Sequence, residues 1–452
     1  MSRRGTILVA VLVIIALAGL AATALMYRSQ AEITACVASS RRQQTHAVAM
    51  SGLRRVQALL AAAGGDREMW WDNPELLSTQ LVWDDGANRW FFSIYAYNPT
   101  DPENIRNGLT DEASKINLNF APEEVLLRLP NMTAELVDCL IDYRDGDEET
   151  RPEGAEQDYY DQLPYPYLIK NGPMATVEEL LLVRGFDGPM VYGEDYNLNG
   201  LLEPSEDDAE ESFPPDNGDG LLDRGLTGSA TVWSYELNVD SDGQMRTNVS
   251  NTRILGRSGL PRQTVEFLEL YAAEGNRLSH PAELLQMRYQ LKQNQGRMRA
   301  GTWIESGVGA PELPDVLDRL TSEGIVLLGK VNVNTAPAEV LAALGGFDEE
   351  LADRIVGART SVDPEAMATI AWLYTEGVVD ADTFKVIAPS LTARSFQFHV
   401  RCVAYGWPCG QYRVIEAVID TARGAPRIVY QRDLTRLGVP FAIDAEQEEA
   451  VQ

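Results

Sequence analysis

The sequence predicts an α+β fold: a long N-terminal helix packed on an antiparallel sheet, with a large helical region inserted into that sheet. Three observations predict it. An uncharged apolar run from Thr6 to Met26 continues without a proline into an amphipathic stretch that reaches Ala63. Strand-like alternation appears near residues 78–98 and again at 395–433. Between these, one segment repeats itself at a fixed offset.

The N-terminal run sets the rest. At about 1.5 Å per residue, a helix over Thr6–Met26 spans roughly 30 Å of hydrocarbon. Arg3 and Arg4 precede it, and the positive-inside bias holds that end in the cytoplasm and sends the bulk of the chain across the membrane. A secretory signal peptide would have a shorter apolar core, about 7–15 residues, followed by a small-residue cleavage site. Here the helical pattern goes on, with Ala47, Met50, Leu53, Val56, Leu59 and Leu60 at helical spacing. Gly64-Gly65 is expected to stop it.

At 452 residues the chain is too long for one ordinary domain, and its 45% apolar content is ample for real cores. Net charge is −29. A surface this acidic repels phosphate and argues against nucleic acid, and it suits divalent cations. Four cysteines (Cys36, Cys139, Cys402 and Cys409) are too few for a disulfide scaffold. Cys36 and Cys139 read as packed thiols.

After Gly65, residues 81–97 read as a hairpin turning at Asp85-Gly86-Ala87-Asn88. Lys115-Ile-Asn-Leu-Asn-Phe-Ala-Pro-Glu-Glu-Val-Leu then matches Lys330-Val-Asn-Val-Asn-Thr-Ala-Pro-Ala-Glu-Val-Leu. The offset of 215 holds from Lys115 to Arg144 with 13 identities, so chance is a poor account. Each copy reads as a short strand, a helix opened by Ala-Pro, a tight turn, and a second helix over 134–143 or 349–359. A fainter copy spans Asn248–Glu274, turning at Ser258-Gly259-Leu260. Further helical pairs follow the copies, one opened by Thr176 with Glu179 as a capping box. Residues 395–405, 412–421 and 427–433 alternate as strands of an antiparallel sheet, and the tail from 439 is acidic.

The Arg-Arg-Gly before an apolar helix of nearly 60 residues resembles the prepilin peptidase site and N-terminal helix of type IV pilins and pseudopilins. The Asn-x-Asn-x-Ala-Pro segments, Val177-Glu-Glu-Leu-Leu-Leu-Val-Arg-Gly and Tyr192-Gly-Glu-Asp-Tyr-Asn-Leu-Asn-Gly jointly resemble the K-type minor pseudopilin of type II secretion systems. Most subunits of that class carry Glu as the fifth mature residue. Here that residue is Ala10, and the K type is the one that usually lacks the glutamate.

The resemblance implies a leader (1–5) cleaved between Gly5 and Thr6, a transmembrane helix (6–28), and a pilin-like core built from 29–114 and 391–438. It also implies an inserted domain (115–390) of helix-hairpin-helix or SAM-like repeats at 115–185 and 330–390. Its implied partners are other minor pseudopilins of the I and J types, prepilin peptidase and the inner membrane, with no nucleic acid.

Asp195-Tyr-Asn197-Leu-Asn199-Gly200-Leu201-Leu-Glu203-Pro-Ser-Glu206 fits the calcium-loop pattern D-x-[DN]-x-[DN]-G-x5-E. Oxygens at positions one, three and five converge on one ion, Leu201 offers a carbonyl at seven, Glu203 stands at nine, and Glu206 at twelve binds through two oxygens. Asn217, Asp219 and Asp223 form a weaker second copy without an acid at its first position. Pro204 and Pro214-Pro215 leave little room for flanking helices, so calcium is expected to stabilise the connection at 187–228 and not to switch it.

Catalysis finds little support. His46, His280 and His399 have no nucleophile motif nearby. Acid pairs such as Asp142 and Asp145 read as helix-end solvation. A disulfide between Cys402 and Cys409 across the turn at 405–408 is one reading and two free thiols the other.

Two functions remain. The first is a structural minor pseudopilin at the tip of a secretion pseudopilus. The second is a membrane-anchored helix-hairpin-helix receptor for DNA, as in competence systems; Pro130 in the first hairpin turn and Asp348-Glu349-Glu350 after the second oppose it.

Overall fold

The computed structural model describes residues 3–63, 66–99, 101–209, 213–296 and 298–441. Gly64-Gly65 and the tail from 442 lie outside them, as do the side chains of Arg3, Arg4 and Thr6 and with them the detail of the Gly5-Thr6 cleavage site.

Helix α1 (Arg3–Ala63) is unbroken. Among the described residues it is the one helix long and apolar enough to cross a membrane. Residues 7–37 of it are exposed throughout. Its second half buries Thr45, Val48, Ala49, Leu53, Val56 and Leu59. Ala47, expected inside, is exposed. The contact stripe alternates three- and four-residue steps and runs through Thr45 and Gly52, which a search by apolar type passes over.

The stripe lies on a five-stranded antiparallel path, β1 (Gln80–Asp84), β2 (Arg89–Tyr95), β3 (Gln397–Trp407), β4 (Gln411–Asp420) and β5 (Arg427–Asp433). Strand β3 pairs with β2 through Arg401↔Tyr95 and with β4 through Cys402↔Ile415. The hairpin turn is held by Asp85, whose Oδ1 accepts from the backbone of Ala87 (2.9 Å) and Asn88 (2.6 Å). Strand β2 is nearly all apolar because both of its faces are covered. Trp90, Phe92 and Ile94 meet α1 together with Val400, Cys402, Ala417 and Ile419. Phe91 and Tyr95 face the other way, with Val403, Tyr405 and Val414.

The run between β2 and β3 forms three modules of one pattern. Each begins with a two-residue strand (Ile116–Asn117, Thr247–Asn248, Val331–Asn332). Each strand pairs in parallel with a second one that closes the module, Ala230–Thr231, Leu320–Thr321 or Leu391–Thr392. In each, the opening Asn accepts a bond from the backbone two residues on: Asn119 (3.0 Å), Ser250 (2.9 Å) and Asn334 (2.9 Å). This Asx turn ends the strand and starts the helices. A longer second helix follows in each: α2 (Ala134–Arg144), α3 (Arg262–Ala273) and α4 (Glu349–Ala358).

Between the helices a left-handed residue makes the turn, Asn131, Gly259 or Gly346. At Gly346 a Cβ would lie 2.7 Å from Val386, so only glycine serves there. Arg359 at the end of α4 donates to the Val333 carbonyl at 2.7 Å, and Arg144 donates to the Leu118 and Ala121 carbonyls. The faint middle copy is therefore a full module. Thr176, however, makes no side-chain cap; Glu179 accepts instead from the Ala175 N–H at 2.7 Å.

The modules share one apolar core, and polar staples fix them to the sheet. Asp111 sits beside β3 and accepts from Asn332, Thr335 and Ser395 of the last module. Tyr235 donates its hydroxyl to Asp420 of β4 at 2.8 Å.

Candidate functional site

The loop at 195–206 lies across the sheet face opposite α1. A short helix, Gly188–Tyr192, is capped by Asp187, whose Oδ1 accepts from the Met190 N–H at 3.0 Å. Glu194 then clamps the loop's root: its N–H donates to the Asp223 carbonyl (2.8 Å) and its carboxylate accepts from the Asp223 N–H (3.0 Å). Leu198, in a left-handed conformation, plugs into the cluster of Phe91, Tyr95, Val403, Tyr405 and Val414.

The predicted ligands gather in this loop. The amides of Asn197 and Asn199 both donate to Glu203 at 3.1 Å, on separate oxygens. The Glu203 N–H donates to Glu206 Oε2 at 3.1 Å, and the Gly200 N–H to Asp195 Oδ2 at 3.1 Å. Leu201 donates its N–H to Asn199 Oδ1 at 2.8 Å. No helix follows within the described residues up to Ala209.

Two oxygens are left over. Asp195 and Glu206 are buried, and Asp195 Oδ1 and Glu206 Oε1 have no hydrogen-bond partner. Burial raises the Asp195 pKa against the Arg401 charge. Burial, joined by the charges of Asp195 and Glu203, pushes Glu206 up to about 7. Buried carboxylates with unmet lone pairs are costly unless a cation completes them. The donor set is all oxygen, which fits a hard cation such as Ca²⁺.

The weaker copy is less assembled. Asn217 and Asp219 are exposed and bond to each other at 2.9 Å. The exposed Asp223 belongs to the Glu194 clamp. That turn is organised by Asp216, which accepts from Ala209 and Gly218 at 2.8 Å each, and Asp207 accepts from Gly220 at 3.0 Å. Glu194, Asp207 and Asp216 escape a pattern search because they flank the motif positions.

Beside the loop a cleft of about 80 Å³ separates sheet from modules, lined by Tyr97, Lys115, Asp195, Arg224, Arg401 and Glu416 among others. Glu416 meets His399 at 2.9 Å and Arg401 at 3.7 Å. Burial opposes its charge, but His399, Arg401 and Arg432 outweigh that and hold its pKa down at about 2.

The two cysteines of the hairpin are separate thiols. Cys402 points its Sγ at the Ala49 carbonyl of α1 (3.7 Å), while Cys409 contacts the Gly406 carbonyl (3.4 Å). Four strand residues from Cys402 to Gly406 span roughly 13 Å at about 3.4 Å each, beyond the reach of a disulfide. Cys36 is exposed on α1 and is not packed, whereas Cys139 is buried. Asp142 is likewise fully buried and is not a solvated helix end.

Two family models, each described as type II secretion system protein K, match residues 115–192 and 331–380. Over these segments the chain is similar to type II secretion system protein K. The first K segment covers the opening of the first module through Tyr192, and the second covers most of the last module. No curated protein matches the chain. Among solved structures, the chain is similar to one in the crystal structure of the GspK-GspI-GspJ complex from the enterotoxigenic Escherichia coli type 2 secretion system. Identity is 11% and the TM-score 0.44, over 88% of this chain and 98% of that one.

Proposed function

We propose that the chain is a minor pseudopilin that initiates and caps the tip of a type II secretion pseudopilus, supporting export of folded proteins from the periplasm. The observation that carries this reading is α1 in a chain that matches protein K models over two segments. One unbroken helix presents a bare apolar half and then packs its second half on the sheet, which is the construction of a subunit anchored in lipid before it joins a filament. Arg3 and Arg4 favour a cytoplasmic N-terminus, and prepilin peptidase cuts after Gly5.

Ala10 supports the tip position. In related filaments the glutamate of an incoming subunit neutralises the terminal amine of the subunit above, an attraction that is strong in low dielectric. With Ala10 this chain makes no such pairing upward, while its Thr6 amine still receives one from below. The partners are other minor pseudopilins of the I and J types, packed along 31–63 of α1. The modules, read as helix-hairpin-helix or SAM-like units, act as packing units; net charge −29 argues against DNA.

Ca²⁺ is held by Asp195, Asn197, Asn199, the Leu201 carbonyl, Glu203 and Glu206, and stabilises the seat of the loop on the sheet. The unpartnered oxygens of Asp195 and Glu206 support this. The assembly reading is tested by isolating the tagged chain from membranes of its own cell. Small pilin-like subunits should accompany it, and their absence from a stable, detergent-solubilised preparation would reject the reading.

A further inference from the structure

A second acidic group lies in the first module, away from the 195–206 loop. Asp145 caps the C-terminal end of α2. Asp147 follows it, and Glu156 stands at the start of the short helix Gln157–Tyr160. One carboxylate oxygen from each of Asp145, Asp147 and Glu156 lies within 4.8 Å of the others. Two ligands on opposite sides of an ion bound at about 2.4 Å are themselves about 4.8 Å apart, so these oxygens fit one calcium shell.

Glu156 is the observation that points to a ligand. It is 4% exposed, and neither of its carboxylate oxygens has a hydrogen-bond partner. It stands at a helix N-cap yet does not cap the helix. Asp145 Oδ1 is also buried without a partner. Asn171 donates its amide to the Asp147 carbonyl at 3.2 Å, and its own Oδ1 is buried and unpaired as well.

The arginines nearby are engaged elsewhere. Arg151 pairs with Asp138 (2.6 Å) and with Glu123, and Arg144 donates to the Leu118 and Ala121 carbonyls. Among the described residues no ion pair reaches Asp145, Asp147 or Glu156. The negative end of the α2 dipole adds to the repulsion at Asp145. Asp147 is exposed and Asp145 half-buried, but leaving the buried Glu156 carboxylate in this state is costly, and a cation removes the cost.

We infer that Asp145, Asp147 and Glu156 bind a divalent cation, calcium by their all-oxygen chemistry, with the Asn171 side-chain oxygen as a neutral fourth donor. Its place in the fold gives it a task. In the first module Asn119 donates to the Met174 carbonyl, and in the last Asn334 donates to the Met367 carbonyl. Between second helix and methionine the first module carries residues 145–173, where the last has only 359–366. The ion ties both ends of that insertion to the end of α2.

The test uses the full chain in detergent with Ca²⁺ as the probe, counting bound equivalents by calorimetry after chelator treatment. Asp195→Ala removes the loop site, so the remaining equivalent is read alone. In that background Glu156→Gln and Asp147→Asn should each remove the remaining equivalent. In chelator Glu156→Gln should melt no lower than its parent, since it deletes an uncompensated charge; this shows that the variant is folded. With calcium present it should lose the upward shift that its parent shows. An unchanged equivalent in both variants, or an Asp195→Ala protein that binds no calcium while Glu156→Gln leaves its melting unchanged in calcium, overturns the site.

Discussion

Gly52 is a small residue with a large structural consequence. A Cβ there would lie 2.8 Å from the Cys402 sulfur and 3.0 Å from the Phe92 ring, so α1 comes as near to β2 and β3 as it does only because the side chain is missing. Gly52→Leu should cost about 1–3 kcal/mol by overpacking. Leu53→Ala should cost about 2–5 kcal/mol by leaving a cavity in the same contact. Denaturant unfolding of the detergent-solubilised chain measures both, and full stability in Gly52→Leu would show that the helix stands off the sheet.

Glu416 sets an acid limit. Its folded pKa is held at about 2, below the usual Glu value of about 4.3. A depressed carboxylate contributes stability that is complete above the unfolded pKa and is lost as pH falls toward the folded one. Glu416→Gln should therefore lower the melting temperature at neutral pH and flatten its fall between about pH 4.3 and 2. A parallel shift at every pH would contradict this.

Among the elements, the modules depend on short polar signals more than on long helices. Asp111 is buried and is met by three donors of the last module. Asp111→Ala leaves those donors unpaired, at about 1–3 kcal/mol. Limited proteolysis should then cut first within 331–394, and an unaltered digestion pattern would contradict that.

The Asn-x-Asn-x-Ala-Pro repeat was legible because its work is local: each Asn bonds two residues ahead. The middle copy was faint because it keeps mainly Asn248 and the Gly259 turn. The closing strands were not legible at all. Each has two residues, and each finds its partner at least 60 residues away along the chain. The large strands announced themselves by alternation, yet no spacing tells which face Cys402 takes relative to Cys409. In the 195–206 loop the oxygen-bearing side chains were legible, while the burial of Asp195 and Glu206 came only with the sheet beneath them.

For the whole molecule, sheet and modules behave as one body through Asp111, Tyr235 and the Arg432–Glu178 pair at 2.6 Å, with the 195–206 loop pressed between them. Calcium should therefore raise the melting of the intact chain, by about 2.7 kcal/mol at a hundred times Kd, and Asp195→Ala should blunt the rise. Identical melting in calcium and in chelator would show that no ion is bound. We propose that this chain ends a filament in place of extending it. The direct measurement is gold labelling of an epitope-tagged chain on pseudopili sheared from cells. Label is expected at one end of each filament, and label distributed along the shaft would reject the tip position.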